Sequence, residues 1–224
     1  MAAAENLRVA VITPYYRFER DWLETCYESV RAQTHPCTHI FVADGVPSDA
    51  VAALDVQHIV LPVRHADWGD TPRAIGSVSA VSQGFDAICY LDVDNWYEPE
   101  HVESLTDLAR ETGAAVCSSG RRLYRADGSL LGDCIEVDGE TFVDTNCYYM
   151  TRKAYPILHA WYLMPPQYHA AGDRVVLEAI KRRKLARSHT GRATVAYRTT
   201  YAHHYQQFGE TPPADAKTKP TIVP

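Results

Sequence analysis

The stretch DAICYLDVDNWYEPEH, residues 86–101, places a buried strand directly before a cluster of carboxylates. Residues 87–91 are continuously apolar or aromatic, which is typical of a strand covered on both faces of a parallel sheet. Asp92 and Asp94 follow it one residue apart. Such a pair either caps the following helix or holds a divalent cation against a negatively charged ligand, and these residues alone leave both interpretations open.

The composition of the chain indicates one folded α/β domain. Its 224 residues are 46% hydrophobic and 22% charged, enough for a substantial core without long disordered segments. The net charge of -6 argues against a nucleic-acid partner, because surfaces that follow a phosphate backbone are usually basic.

The cysteines and the apolar runs bear on where the protein works. The six cysteines form no C-x-x-C pair, so we expect reduced thiols in a cytoplasmic protein and no zinc site. No apolar run reaches the ~20 residues that cross a bilayer, and residues 1–8 lack the pattern of a signal peptide. These features predict a soluble, intracellular protein.

Outward from residues 86–101, strands and helices alternate between Leu7 and about Gly113. Such alternation predicts right-handed crossovers and a mostly parallel sheet with helices on both faces. Ligands of such sheets bind at the carboxyl ends of the strands, where Tyr15, Asp44 and the acidic pair fall. The predicted strands cover residues 7–16, 38–45, 56–63 and 87–93, and the predicted helices cover residues 19–34, 49–54 and 71–84.

Beyond Gly113 the alternation is less regular. A hairpin is expected with Asp127 and Gly128 at its turn. The later predicted elements are a strand and helix over residues 142–158, a helix over residues 172–186, a strand running into a His-rich loop over residues 193–208, and a Pro-rich tail without a core pattern from residue 209 onward.

Four segments, taken in order, resemble the family 2 glycosyltransferases of bacterial-like, D-x-D type. They are residues 9–45 (VAVITPYYRFERDWLETCYESVRAQTHPCTHIFVADG), 90–95 (YLDVDN), 143–155 (VDTNCYYMTRKAY) and 172–183 (GDRVVLEAIKRR). The resemblance implies a single GT-A (Rossmann-like) domain, with a mostly parallel central sheet flanked by helices and a smaller antiparallel part on the acceptor side. It also implies transfer of a sugar, with inversion, from a nucleotide-sugar donor to an acceptor hydroxyl.

The same resemblance suggests how the chain is divided. The glycosyltransferase domain is expected over residues 1–210, with a nucleotide-binding half at 1–113 and an acceptor half at 114–210, followed by a tail at 211–224. The implied donor is a UDP-sugar. The implied acceptor is a glycan, a lipid-linked molecule or another hydroxyl compound.

The donor site implied by the resemblance lies at the first strand ends. Thr13, Pro14 and Tyr15 match the segment that lines the uracil pocket, and Asp44 matches the carboxylate that accepts from the ring N–H. The family has Asp-Asp-Gly where this chain has Ala-Asp-Gly, and an Asp before glycine is also a common turn residue. Arg73 is expected either to reach the phosphates or to be a solvated surface arginine.

Asp92, Val93 and Asp94 match the D-x-D motif, which implies Mn²⁺ or Mg²⁺ as cofactor with Asp94 as the direct ligand. Two carboxylates at alternating positions point to the same side, and a cation there neutralises the charge that grows on a leaving diphosphate. His203 is implied as a further ligand, since imidazole suits Mn²⁺. Only one of His203 and His204 is expected to face the metal, and surface packing is the alternative for both.

The resemblance makes Asp173 the catalytic base, which takes the proton from the acceptor hydroxyl. An Asp at the amino end of a helix also commonly caps that helix, so this alternative stays open. The family has Glu-Asp where this chain has Gly-Asp, and Asp144 is the next candidate base. Asp144, Asn146 and Trp161 are the expected acceptor-side residues.

A basic run from Lys181 to Arg192 stands out in an acidic chain. It predicts either peripheral contact with an anionic membrane, at the inner face, or a solvated helix end whose dipole favours cations. Two other functions remain as alternatives, a sugar nucleotidyltransferase and an inactive GT-A binding module. The first would need a glycine-rich phosphate loop after the first strand, and TPYYRFERD, residues 13–21, contains no glycine.

Overall fold

The computed structural model describes residues 7–219, and its strands join in one nine-stranded sheet. The strands are β1 (Val9–Tyr15), β2 (Cys37–Ala43), β3 (Gln57–Val60), β4 (Ala87–Tyr90), β5 (Trp96–Tyr97), β6 (Val116–Tyr124), β7 (Leu130–Asp133), β8 (Tyr148–Thr151) and β9 (Arg187–Arg198). The α-helices are α1 (Arg20–Arg31), α2 (Asp49–Ala52), α3 (Asp70–Ser82), α4 (His101–Thr112), α5 (His159–Tyr162), α6 (Gly172–Arg182) and α7 (Ala202–Gln207).

The first half of the chain forms the parallel part of the sheet, in the order β3-β2-β1-β4. Val9 of β1 is in register with Cys37 of β2 on one side and with Ala87 of β4 on the other. Every residue of β1 is buried, as expected for a strand covered on both faces. The fold class predicted from the alternating pattern is therefore confirmed.

Helices α1 and α3 cover this sheet through small or apolar residues at helical spacing. In α1 the buried positions are Leu23, Cys26 and Val30. In α3, Gly76 lets the helix approach the sheet closely, because a Cβ there would lie 2.6 Å from the Ile12 side chain. The close packing fixes the amino end of α3 beside the strand ends.

The second half adds the antiparallel part. β8 pairs antiparallel with β4, and the predicted hairpin of β6 and β7 turns at Gly128, which has a φ of 83°. β9 pairs parallel with β6 and antiparallel with β5, a short strand that the sequence did not predict. The sheet is therefore mixed on this side, with β8 and β6 continuing the order after β4.

The predicted His-rich loop is wrong, because residues 202–207 form helix α7. Its Tyr205 packs in a small apolar cluster with Leu123 and Leu131, and this contact holds the helix against the β6–β7 hairpin. The tail is also attached to the sheet, since the Lys217 N–H donates to the Thr200 carbonyl (2.7 Å). The expectation for residues 220–224 lies outside the described residues.

Two further features concern the cysteines and the helices. All six cysteines are free, as predicted. Among residues 7–219, none of the helices combines the length and the apolar character that crossing a membrane requires.

Candidate active site

A cavity of about 520 Å³ opens at the carboxyl ends of β1, β2 and β4. This is the sheet edge where ligands of α/β folds bind. Most of the predicted site residues line it, although they come from distant parts of the chain. They are Pro14, Tyr15, Asp44, Arg73, Asp92, Val93, Asp94, Asp144, Trp161 and Asp173. Thr13, Asn146 and His203 are not part of this lining.

The residues expected to bind the base hold the cavity wall together. The Tyr15 hydroxyl accepts the Ser48 N–H (3.0 Å) and pairs with His58 Nε2 (2.7 Å). Thr13 is fully buried, and its hydroxyl is 2.8 Å from His39 Nε2, so it supports the wall from behind. Base recognition by Thr13 and Tyr15 therefore stays a prediction.

Asp44 fixes the loop of residues 64–69, which runs along the cavity. Its two carboxylate oxygens accept the N–H groups of His65 (2.7 Å) and Ala66 (3.0 Å). In the same loop Ala66 and Trp68 have positive φ angles of 56° and 60°, a left-handed conformation that costs a non-glycine residue roughly 1–2 kcal/mol. The loop consequently presents Trp68, 60% exposed, at the cavity. This favours the structural alternative for Asp44.

Arg73 is buried, which excludes the solvated surface alternative. Its guanidinium donates to the Asp92 carboxylate (2.5 Å) and to the Trp68 carbonyl (3.0 Å), and it lies 3.5 Å from the Asp70 carboxylate. Trp161 packs beneath it, with the guanidinium carbon 5.3 Å from the ring centroid. The arginine is therefore held at the cavity wall by two acids and an aromatic ring.

Asn146 positions two carboxylates instead of lining the cavity. Its amide N–H donates to Asp92 (3.1 Å) and to Asp144 (2.8 Å), and its oxygen accepts the Asp92 N–H (2.6 Å). Asp144 in turn pairs with the buried Arg121. A continuous network thus runs from Arg73 through Asp92, Asn146 and Asp144 to Arg121.

Asp94 and Asp173 are the acids of the site with the most perturbed titration. Burial, with the charge of Asp92 adding to it, raises the pKa of Asp94 to about 7. Burial, with the charge of Asp144 adding to it, raises the pKa of Asp173 to about 7 as well. Perturbed acids in a cleft are a frequent mark of functional sites.

The donor set around Asp94 fits a divalent cation. Within residues 7–219, no other residue donates a hydrogen bond to the Asp94 carboxylate; Arg198 donates to its backbone carbonyl instead (2.7 Å). Carboxylate oxygens are the ligands that Mg²⁺ and Mn²⁺ prefer, and a cation would relieve the repulsion between Asp92 and Asp94. The residues present therefore suit the cofactor that the sequence predicts.

His203 lines a smaller adjoining cavity of about 70 Å³. Its Nε2 is 3.4 Å from the Glu136 carboxylate. His204 is buried, with Nδ1 2.5 Å from the Thr199 hydroxyl, and burial lowers its pKa to about 3. Among the described residues, the group of three potential ligands within 4.8 Å of one another is Cys134, Glu136 and His204, and it does not include Asp94. The metal role of His203 remains a prediction.

Asp173 lies in the first turn of α6 but does not cap it. The N-cap residue is Ala171, and the Asp173 carboxylate accepts the N–H of the next residue, Arg174 (2.7 Å). The helix is anchored through Val176, Leu177 and Ile180, which are buried. Asp173 is not the N-cap residue, but its carboxylate accepts a first-turn amide and also lines the cavity, so the helix-end role and the catalytic role both stay open.

Several cavity residues were not predicted. Trp68, Asp70, His169, Arg198 and Lys217 all line the cavity. Asp70 was detectable as an acid directly before a predicted helix, and Trp68 as a large aromatic residue in a short loop. His169 and Lys217 carry no pattern in the sequence, since tertiary contacts alone bring them to the site.

The fold resembles that of GT-A glycosyltransferase structures, as the sequence analysis predicted. Residues 10–137, more than half of the chain, match the family described as Glycosyl transferase family 2. The chain belongs to glycosyl transferase family 2.

Known proteins are similar to this chain at low sequence identity. EpsH of Bacillus subtilis (strain 168), a protein named as a glycosyltransferase, is 24% identical over 147 residues, which are 62% of this chain and 40% of EpsH. The S. aureus TarS 1-349 structure in complex with UDP aligns with a TM-score of 0.65 and 12% identity, covering 90% of this chain and 63% of that one. The TarS complex with UDP-GlcNAc aligns with a TM-score of 0.65 and 12% identity over 86% of this chain and 59% of that one. The chain spans less than two thirds of the length of these relatives, and the structural similarity shows the fold alone.

Proposed function

We propose that this protein transfers a sugar from a UDP-sugar to an acceptor hydroxyl, with inversion and with help from Mn²⁺ or Mg²⁺. The observation that carries the proposal is that Asp94 and Asp173 line the same cavity. Among the described residues, no other side chain donates a hydrogen bond to the Asp94 carboxylate. The UDP and UDP-GlcNAc complexes of TarS, whose fold is similar, support the choice of donor.

On the donor side, Asp94 would hold the cation, with Asp92 kept in place by Arg73 and Asn146. A bound cation supplies Lewis-acid stabilisation of the departing diphosphate. Arg73, Arg198 and Lys217 are the cationic groups of this cavity that would contact the diphosphate. Tyr15 and Pro14 lie at the end where the base would bind.

On the acceptor side, the hydroxyl oxygen of the acceptor attacks the anomeric carbon of the sugar, and Asp173 takes the hydroxyl proton. The bond between that carbon and the diphosphate oxygen breaks in the same step, so the configuration inverts. A base works best when its pKa lies near the working pH, and burial holds the pKa of Asp173 at about 7. Asp144, with Asn146 and Trp161 around it, remains the reserve candidate.

Residues 1–113 would then act as the nucleotide-binding half and residues 114–210 as the acceptor half of one catalytic domain. The acceptor is a hydroxyl of a glycan, a lipid-linked molecule or a similar compound. Several charges of the basic run are neutralised within the fold, since Lys181 pairs with Glu178, Arg187 with Glu140 and Arg192 with Glu100. Peripheral contact with a membrane would therefore depend on the remaining cations.

Calorimetric titration of the protein with UDP tests this function. We expect binding in the presence of Mn²⁺ or Mg²⁺, a large loss of affinity in EDTA, and weaker binding of GDP and CDP. Equal affinity for UDP with and without the cation would contradict the metal role. A preference for GDP or CDP would contradict the donor.

A further inference from the structure

Asp70, which is buried, and His169, which is half-buried, form an acid–histidine pair at the edge of the cavity. Asp70 begins α3 and is 1% exposed, whereas His169 belongs to the 3₁₀ segment Pro166–Ala171 that leads into α6. His169 Nδ1 is 2.7 Å from Asp70 Oδ2. Both residues line the same cavity as Asp173. The pair is therefore a built feature of the site, joined across 99 positions of sequence.

Gly172 makes room for this pair. A Cβ at position 172 would lie 2.9 Å from Asp70 Oδ1 and 3.2 Å from atoms of Met164 and Trp161. The φ of Gly172 is -55°, an ordinary helical value, so the glycine is required for space and not for conformation. A side chain at position 172 would therefore crowd the Asp70 carboxylate.

The pair prepares one histidine nitrogen for a ligand. An aspartate that accepts the Nδ1 proton of histidine fixes the ring and leaves Nε2 as a hydrogen-bond acceptor. The His169 side chain is 20% exposed, and its Nε2 has no hydrogen-bond partner within residues 7–219. Burial also raises the pKa of Asp70 to about 6, against the opposing charge of Arg73.

The connections of Asp70 place this nitrogen on the donor side. The second Asp70 oxygen lies 3.5 Å from the guanidinium of Arg73, which also binds Asp92 of the D-x-D motif. We propose that His169 Nε2 accepts a hydrogen bond from a hydroxyl of the transferred sugar, that Asp70 positions it, and that the pair helps select the donor sugar. The inference rests on the proposed function, since it needs a nucleotide-sugar donor.

The test compares UDP with UDP-sugars in calorimetric titrations containing Mn²⁺, without any acceptor. The probes are UDP, UDP-GlcNAc, UDP-GalNAc, UDP-glucose and UDP-galactose. His169→Asn is the informative variant, because an asparagine amide can still donate to Asp70 from near the Nδ1 position but offers nothing in place of Nε2. The exposed His159→Asn is the matched control.

We expect His169→Asn to weaken binding of the preferred UDP-sugar about 3- to 10-fold, the range of one net hydrogen bond, while the UDP affinity stays unchanged. Asp70→Asn should likewise weaken binding of the UDP-sugar relative to binding of UDP. Thermal unfolding will show whether this variant is folded. His159→Asn should bind every probe like the parent.

Two failures are distinguishable. If the parent protein does not bind UDP, the proposed function itself is wrong. If the parent binds UDP but His169→Asn leaves the ratio of UDP-sugar to UDP affinity unchanged, the sugar-hydroxyl role of His169 is wrong.

Discussion

Replacing Asp173 by asparagine should lower the rate of sugar transfer and raise the stability of the fold. The Asp173 carboxylate accepts one backbone N–H, from Arg174 at 2.7 Å, and an asparagine oxygen can keep that bond. The substitution removes the negative charge that burial and Asp144 disfavour. The variant should therefore fold normally, become more stable at neutral pH, and lose its base.

The gain in stability follows from the raised pKa of Asp173. A folded-state pKa of about 7, against an ordinary value of 3.8, means that the unfolded chain loses this proton first as the pH rises. The cost of the buried charge is absent below pH 3.8, grows between pH 3.8 and about 7, and is complete above that. At about 1.4 kcal/mol for each pH unit of that interval, Asp173→Asn should gain at most about 4 kcal/mol at pH 8 and far less at pH 4.

The loss of activity should be large, because general-base catalysis contributes about 10²- to 10⁴-fold in rate. Transfer from a UDP-sugar to an acceptor should fall by at least 100-fold, while UDP affinity with Mn²⁺ remains near that of the parent. Denaturant unfolding at pH 4 and pH 8 measures the stability, and UDP release measures the rate. Transfer within a few-fold of the parent rate would refute the reasoning and make Asp144 the candidate base.

Three further predictions concern the rest of the cavity and the core. Asp94→Asn should weaken Mn²⁺-supported UDP binding in calorimetry more than Asp92→Asn does. Asp92→Asn should lower the melting temperature more, because it leaves Arg73 without its closest acid. If Asp92→Asn weakens UDP binding more and Asp94→Asn lowers the melting temperature more, Asp92 is the metal ligand and Asp94 the structural acid. Lys217→Ala should weaken UDP binding by up to about 5-fold, which is the contribution of one exposed ion pair. An unchanged affinity would mean that the C-terminal segment does not contribute to UDP binding. Finally, native alkylation followed by mass spectrometry should leave the buried thiols unmodified, because burial raises their pKa; rapid labelling of any of them would contradict the core packing. These thiols are Cys26, Cys89, Cys117 and Cys147.

The parts of the fold that the sequence predicts are those with a periodic apolar pattern. The strand at residues 87–91 and helix α1, with Leu23, Cys26 and Val30 on one face, follow directly from such patterns. The sequence predicts a loop where helix α7 forms, because the burial of this helix depends on one small cluster around Tyr205. The tail was undetectable since backbone hydrogen bonds attach it, and these leave no trace in side-chain pattern.

The candidate site divides in the same way. Residues at strand ends, such as Asp92 and Asp94, were predictable because a parallel sheet brings strand ends to one edge. The partner that holds Asp92 in place was not predictable, because Asn146 reaches it from a segment 54 positions later in the chain. The position of Asp44 at a strand end predicts contact with the ligand, whereas in the structure both of its carboxylate oxygens accept hydrogen bonds from the loop that follows β3.

The central claim is that the cation and the nucleotide meet at Asp94. A crystal grown with Mn²⁺ and UDP, measured near the manganese absorption edge, locates the metal by its anomalous signal. The account predicts a peak within coordination distance of the Asp94 carboxylate and of the UDP diphosphate. A peak at Cys134, Glu136 and His204 instead, or UDP bound without any metal at Asp94, would contradict it.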